Sequence, residues 1–298
     1  MAHVPVLLQE SLEGLALKVG DVVLDATVGN GGHAREICAR IGSEGTLVGL
    51  DLDEAALREA EKHLARTKTK VILRKSNYRN LDSVLRELGL SAIDKVLFDL
   101  GIRLEEFTES GRGFSFMKDE PLLMTYDADP PREAETAAAI VNTWAEEEIA
   151  YILAEYGDEK FAKRIARRIV ERRREKHILG TYELVSIIED SIPAHFRKGK
   201  IHPATKTFQA LRIAVNDEFG AIEEGLQKAL RMLTPGGRIA VISFHSGEDR
   251  IVKHIFRDLP TSEFQIITKK PIEGTPEEVR KNPRARSAKL RIIQKINA

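Results

Sequence analysis

The chain has 298 residues, enough for one large domain or two smaller ones with an ample core. Its 46 Lys and Arg balance 46 Asp and Glu, so net charge alone predicts no polyanionic partner. A lone Cys38 excludes an intrachain disulfide and a cysteine-built zinc site, and no apolar run approaches the roughly 18 residues of a membrane span. The opening Met1-Ala2-His3-Val4-Pro5-Val6-Leu7-Leu8 lacks a basic leader and is soon interrupted by Gln9-Glu10. A soluble, cytoplasmic chain with no membrane partner and no metal is expected.

Val22-Val23-Leu24 predicts a short strand, and a helical pattern begins near Ala34. Between them lies Asp25-Ala26-Thr27-Val28-Gly29-Asn30-Gly31-Gly32-His33, a glycine-rich turn at a helix N-terminus, where unpaired N–H groups face polar ligand atoms. About twenty residues on, Thr46–Leu50 predicts a second strand ending in Asp51, placed to accept hydrogen bonds from ribose hydroxyls. An adenosine-containing cofactor follows from this pair of features. Gly29-x-Gly31-x-x-Ala34 satisfies the nicotinamide fingerprint, and the same residues fit the acid-x-x-x-G-x-G-G turn of S-adenosylmethionine enzymes. The turn alone leaves both open.

The alternation continues with a helix over Glu54–Ala65, a strand over Lys70–Leu73 and a helix over Leu81–Leu88. A strand over Lys95–Phe98 then runs into Asp99-Leu100-Gly101. Late in the chain come an amphipathic helix (Glu218–Leu233), a turn at Thr234-Pro235-Gly236-Gly237 and a strand over Arg238–Phe244. A helix over Asp249–Arg257 and strands over Phe264–Thr268 and Lys289–Ile296 follow, the last two separated by a long polar loop at about 270–287. Apolar strands alternating with helices predict an α/β fold with a parallel sheet covered on both faces. Between Gly101 and Gly236 the pattern is helical instead, over Glu133–Tyr156, Glu159–Glu175 and Thr181–Ser191, which predicts a helical insertion.

The second of these helices is the sharpest charge feature. Phe161, Ile165 and Ile169 form one apolar stripe, with Ala162, Ala166 and Val170 beside it. Most remaining positions, including Lys163, Arg164, Arg167 and Arg168, are cationic. A one-sign face points to a polyanion, against the alternative that acids such as Glu146-Glu147-Glu148 compensate it. Further basic blocks stand at Arg197–Lys200, Lys269-Lys270 and Arg280–Arg286, the last containing Arg284 and Arg286. Segregated basic patches in a neutral chain fit binding to nucleic-acid phosphates.

Longer motifs run through the chain: His3–Leu8, Gly31-Gly32-His33, Arg112-Gly113-Phe114-Ser115-Phe116-Met117, Phe161–Ala166, His202–Asn216, Ile242–Ser246 with Glu248-Asp249-Arg250, and Asn282–Ser287. In this unbroken order the chain resembles the bacterial 16S ribosomal RNA cytosine-N4 methyltransferases, the RsmH/MraW family. The resemblance implies an α/β fold: a class I (Rossmann-like) S-adenosylmethionine-dependent methyltransferase domain over 1–110 and 204–298, with an all-helical domain for RNA recognition inserted over 111–203. It implies methyl transfer from S-adenosyl-L-methionine to N4 of a cytidine in the decoding centre, with 16S rRNA in the small ribosomal subunit as partner and the oligomeric state left open. Cofactor positions carry over to Gly31, Gly32, His33, Asp51, Tyr78, Asp99 and Glu106.

The chain departs from that pattern after Gly101. Ile102-Arg103-Leu104-Glu105-Glu106-Phe107 lacks two usual serines and has Glu106 in place of a glutamine. Leu123 and Thr125 replace an aspartate and an arginine, and Gly247 replaces a leucine. The altered 102–107 segment motivates a second reading, a non-catalytic RNA-binding assembly factor that keeps the cofactor pocket. A nicotinamide oxidoreductase is the third. For catalysis the cytosine amine must be oriented by a hydrogen-bond acceptor, for which Asp99 at the carboxyl end of the fourth strand is the candidate. Phe107, Phe114 and Phe116 are candidates to stack an extruded base, while His33 and His245 read as local hydrogen-bonding groups.

Overall fold

In the computed structural model, residues 5–101, 110–127, 130, 134–197 and 201–297 are described. They form two compact units, one from 1–101 with 219–298 and the other from 102–218. The first begins with α1 (Leu8–Leu15), which buries Leu12 and Leu15. This helix is not among the expected elements, although Leu8, Leu12 and Leu15 recur at helical spacing. Four strands follow, each an apolar run: β1 (Val22–Asp25), β2 (Thr46–Asp51), β3 (Lys70–Lys75) and β4 (Ile93–Asp99). Between them lie α2 (Gly32–Ile41), α3 (Glu54–Leu64) and α4 (Leu81–Glu87). Successive strand residues alternate between two apolar clusters. Val23 and Leu47 join Leu12, Ile37 and Ile41 in one, while Leu24 and Val48 join Leu81, Leu85 and Phe98 in the other. The sheet is therefore covered on both faces, as the continuous apolar strands predict.

The second unit is helical: α5 (Ala137–Thr143), α6 (Glu146–Glu155), α7 (Ala162–Arg173), α8 (Thr181–Ser191) and α9 (Thr205–Asn216). The helix expected over Glu133–Tyr156 is two helices, broken at Trp144-Ala145, both extended; its start, Glu133, lies outside the described residues. Three consecutive acids favour a new helix start at Glu146. The Glu148 carboxylate accepts the Ala145 N–H (2.9 Å), and Arg173 donates to the carbonyls of Val141 and Trp144 (3.1 and 2.7 Å). Ile140, Ile149, Ile165, Ile169, Leu184, Ile188 and Phe208 fill one core. The polar residues of α9 tie loops to it. Lys206 donates to Asp158 O (2.7 Å), Gln209 to Tyr156 O (3.2 Å) and Asn216 to Met124 O (2.8 Å), while Arg212 grips Glu218 through two bonds (2.8 and 2.9 Å).

The chain returns to the sheet through α10 (Glu218–Met232), β5 (Leu233–Ser243), α11 (Ser246–Asp258), β6 (Phe264–Ile266), β7 (Ile272–Glu273), α12 (Pro276–Lys281) and β8 (Lys289–Lys295). The turn expected at Thr234–Gly237 is an irregularity inside β5: Ile93 pairs with Leu233 and Lys95 with Arg238. The sheet order is β3-β2-β1-β4-β5-β8-β6, with β7 beside β8. The first five strands are parallel, and β8 runs antiparallel to β5. The 270–287 stretch, expected to be a loop, holds β7, α12 and a 3-10 turn over Pro283–Arg286.

One buried ion pair ties α11 to β8. Asp249 accepts from Arg291 at 2.6 and 3.1 Å, with Lys289 at 3.6 Å. Burial works to raise the Asp249 carboxyl pKa, but the bonds and charges of Arg291 and Lys289 outweigh it and hold the pKa below the ordinary value. Removing one partner strands the other, so Arg291→Ala should destabilise the fold by roughly 3–5 kcal/mol in urea titration. The double change Arg291→Met/Asp249→Leu should recover most of that loss. The native contribution is present above the usual carboxylate pKa and disappears as pH falls through the lowered one. The melting gap between native and Arg291→Ala proteins should therefore narrow in acid.

Candidate active site

Three adjacent parallel strands, β2, β1 and β4, each end in an aspartate: Asp51, Asp25 and Asp99. The carboxyl edge of an open parallel sheet is where α/β proteins bind ligands. Two backbone bonds and one to a side-chain hydroxyl set the β1–α2 turn against this edge. Ala26 N–H donates to Leu97 O (2.9 Å), Val28 N–H to Leu50 O (2.8 Å) and Asp99 N–H to the Thr27 hydroxyl (2.7 Å). Gly29 N–H then donates to the Asp51 carboxylate (2.9 Å), whose other oxygen accepts the Asp53 N–H (2.8 Å). The turn and Asp51 are thus in direct contact.

Gly31 has φ +83°, in the left-handed region, and a Cβ there would lie 3.3 Å from the Ala60 backbone. At Gly32 an added Cβ would come within 2.6 Å of the Pro5 ring. Both glycines are required by the close approach of the protein's own chain, which lets α2 start against α3 and the N-terminal segment. His33 follows, 6 % exposed. Its Nε2 faces the Val6 carbonyl (3.1 Å), so that nitrogen carries the hydrogen, and Nδ1 stands 3.5 Å from Asp99 Oδ2. Tyr78 lies in a 3-10 turn just after β3, its ring edge-on to Phe98 at 5.6 Å.

The turn, Asp51, Asp99, His33 and Tyr78 therefore share the carboxyl edge of one sheet, as expected of a binding site. Glu106 and Phe107 lie outside the described residues. Asp25 and Thr27 were not singled out as site residues, although the signal was present: an apolar strand closing on an acid, repeated at Asp51 and Asp99. Asp25 is almost fully buried, and its pKa is pushed up to about 7. Burial is the main cause, partly opposed by the Thr27 N–H, with the charges of Asp99 and Asp51 adding to it.

The candidate base-stacking rings Phe114 and Phe116 belong instead to the packing of the second unit. Phe114 is 2 % exposed and stacks on Tyr126, and Phe116 stacks on His202 at 4.5 Å. Thr125 is buried, its hydroxyl bonded to Asp127 O (3.0 Å). Gly247 has the Phe219 ring where a side chain would stand, 2.5 Å from an added Cβ. His245 caps α11, accepting the Glu248 N–H at 3.4 Å.

Lys163, Arg164, Arg167 and Arg168 are all exposed on α7 while Ile165 and Ile169 are buried, as the stripe predicts. Part of the charge is compensated: Arg167 lies 3.6 Å from Glu146 and Arg168 3.1 Å from Glu171. Lys163 and Arg164 have no ion pair among the described residues. In the first unit, Arg284 lies over the Phe244 ring (5.4 Å) and Arg286 is exposed.

Comparison with known proteins fits this architecture. A family model described as the MraW methylase family matches residues 1–296. A protein of Symbiobacterium thermophilum named Ribosomal RNA small subunit methyltransferase H is 48 % identical, over 99 % of this chain and 97 % of its own. Proteins of the same name from Heliobacterium modesticaldum and Brevibacillus brevis are 48 % and 43 % identical, each over 99 % of this chain and 98 % of theirs. With a family model matching nearly every residue and relatives this similar end to end, the chain belongs to the MraW methylase family.

Proposed function

We propose that this protein transfers a methyl group from S-adenosylmethionine to the exocyclic N4 of a cytidine in the decoding centre of 16S ribosomal RNA. Family membership supports the reaction class. Relatives spanning nearly the whole chain are named for methylation of small-subunit ribosomal RNA, which supports the substrate. The observation that carries the site is the meeting of the glycine turn with Asp51, Asp25 and Asp99 at one sheet edge. The nicotinamide reading rested on the Gly29/Gly31/Ala34 spacing alone, and the family assignment replaces it.

The residues present fit the cofactor. Asp51 suits a ribose diol, and a group of carboxylates whose mutual repulsion is already felt at Asp25 suits a ligand bearing positive charge. Gly31, Gly32, His33 and Tyr78 shape the surrounding wall, with Glu106 assigned by resemblance. When bound, the cofactor supplies a methyl group already activated by its sulfonium charge. Asp99 supplies the acceptor that turns the cytosine amine and takes up its proton. No helix among the described residues is long and apolar enough to cross a membrane. The second unit recognises RNA, with Lys163, Arg164, Arg167 and Arg168 facing phosphates, and Arg284 and Arg286 serve the same role from the first.

Labelled S-adenosylmethionine incubated with immature small ribosomal subunits should yield labelled N4-methylcytidine. Normal cofactor binding without transfer would favour the assembly factor instead. Asp99→Asn should lower kcat about a hundredfold while cofactor Kd stays within about threefold. A rise in Kd at unchanged kcat would reassign Asp99 to cofactor holding alone.

Asp25 gives a pH-dependent readout. Near pH 7 it is about half protonated in the free protein, and a cationic ligand favours the ionised form. S-adenosylmethionine binding at that pH should release up to about half a proton, measured calorimetrically in buffers of different ionisation enthalpy. Asp25→Asn should abolish the release. Because a raised carboxyl pKa costs native stability as pH climbs from 3.8 to about 7, Asp25→Asn should also gain melting temperature relative to native protein between pH 5 and pH 8.

A further inference from the structure

We infer that Phe196, packed against Phe161 beside the cationic start of α7, is a stacking platform for an unpaired nucleobase of an RNA strand whose phosphates face Lys160, Lys163 and Arg164. The inference deepens the proposed function and rests on RNA being the substrate.

Phe196 closes a 3-10 turn, Ala194–Phe196, in the second unit. It is 53 % exposed. The ring is held in place. Phe161, the residue before α7, lies 5.2 Å away at 59°, and the His195 ring lies 4.2 Å away at 42°. Arg197 donates to Ile192 O (2.8 Å) and pins the turn. An immobilised, half-exposed ring loses little conformational freedom when a second flat ring is laid on it.

The charges nearby decide which flat ring. Lys160, Lys163 and Arg164 flank Phe161 in sequence, are exposed and have no ion pair among the described residues. The acids on the same loop are Asp158 and Glu159. Glu159 is 8 % exposed and its carboxylate accepts the Phe161 N–H (2.9 Å), leaving Asp158 as the exposed acid against three exposed cations. One exposed aromatic among cations matches alternating bases and phosphates, the pattern of single-stranded nucleic acid sites. A membrane surface calls for a broader apolar face than one ring provides. The half of α7 nearer its C-terminus fits less well, since Arg168 and Arg172 are answered by Glu171 and Glu175, and Arg173 is spent on backbone carbonyls.

The test uses the full-length protein and a short single-stranded RNA carrying 2-aminopurine. Native protein should quench the probe on binding. Phe196→Leu keeps an apolar side chain but removes the stacking face; it should abolish the quench and weaken binding about tenfold by anisotropy, with its melting temperature unchanged. Lys163→Glu/Arg164→Glu should weaken binding and flatten its salt dependence. Equal quench and affinity for native and Phe196→Leu proteins would overturn the platform, as would co-sedimentation with phosphatidylserine vesicles that Phe196→Leu abolishes while RNA affinity stays unchanged. Methyl transfer to ribosomal subunits is scored separately. Its absence in native protein would sink the proposed reaction, while the quench still reports on Phe196.

Discussion

Everything at the sheet edge depends on how this chain holds three carboxylates on three neighbouring strands. Strands lie about 4.8 Å apart, so acids at adjacent strand ends repel unless something answers them. The answer is unequal. Asp51 accepts two backbone N–H groups at 2.9 and 2.8 Å. Asp25, the most buried, has one backbone donor among the described residues, the Thr27 N–H at 3.3 Å. Desolvation first, and the charges of Asp99 and Asp51 after it, act on Asp25, whose carboxyl is raised to about 7. The dependence runs both ways, because Gly29 orders the turn only while Asp51 is there to accept from it.

The second unit shows a different economy. Its longest motif, His202–Asn216, one of those that carry the family resemblance, forms a scaffold. Lys206, Gln209, Arg212 and Asn216 each reach off α9 to hold a backbone carbonyl or a carboxylate. Asn216 and Arg112 both fasten the segment at Met124–Tyr126, which is how the Arg112–Met117 motif is built into the same core. Charged residues that anchor loops are unavailable to a ligand. The motif-rich helix is therefore a poorer place to seek RNA contacts than the exposed start of α7.

Much of the first unit was legible because its information is local. An apolar strand, a glycine turn and an acid at the next strand end lie within thirty residues, and each has a mechanism. The glycines were legible as a turn but not in their reason, since Gly32 meets Pro5 and Gly31 meets Ala60 only once the chain is folded. The same holds for Phe114 and Phe116, whose partners Tyr126, His202 and Phe208 are distant in sequence. The break at Trp144-Ala145 escaped because apolar periodicity runs on through it, and β7 because two residues carry no period. Glu148 three residues beyond Ala145 was the available signal for a helix start there.

Zero net charge is compatible with a polyanionic substrate only because like charges are segregated along this chain. On the proposed function, a cytidine must approach an edge lined by Asp25, Asp51 and Asp99, and its phosphates carry the same sign as those acids. A cationic cofactor already in place offsets that repulsion, so cofactor and RNA bind with favourable coupling, and by linkage each tightens the other by the same factor. On the same proposal, the cations at the start of α7, which have no ion pair among the described residues, act on the opposite side of the balance by attracting the strand without regard to sequence. Selection of one base, on that proposal, falls to the acceptor geometry at Asp99, which its own N–H ties to Thr27 of the glycine turn.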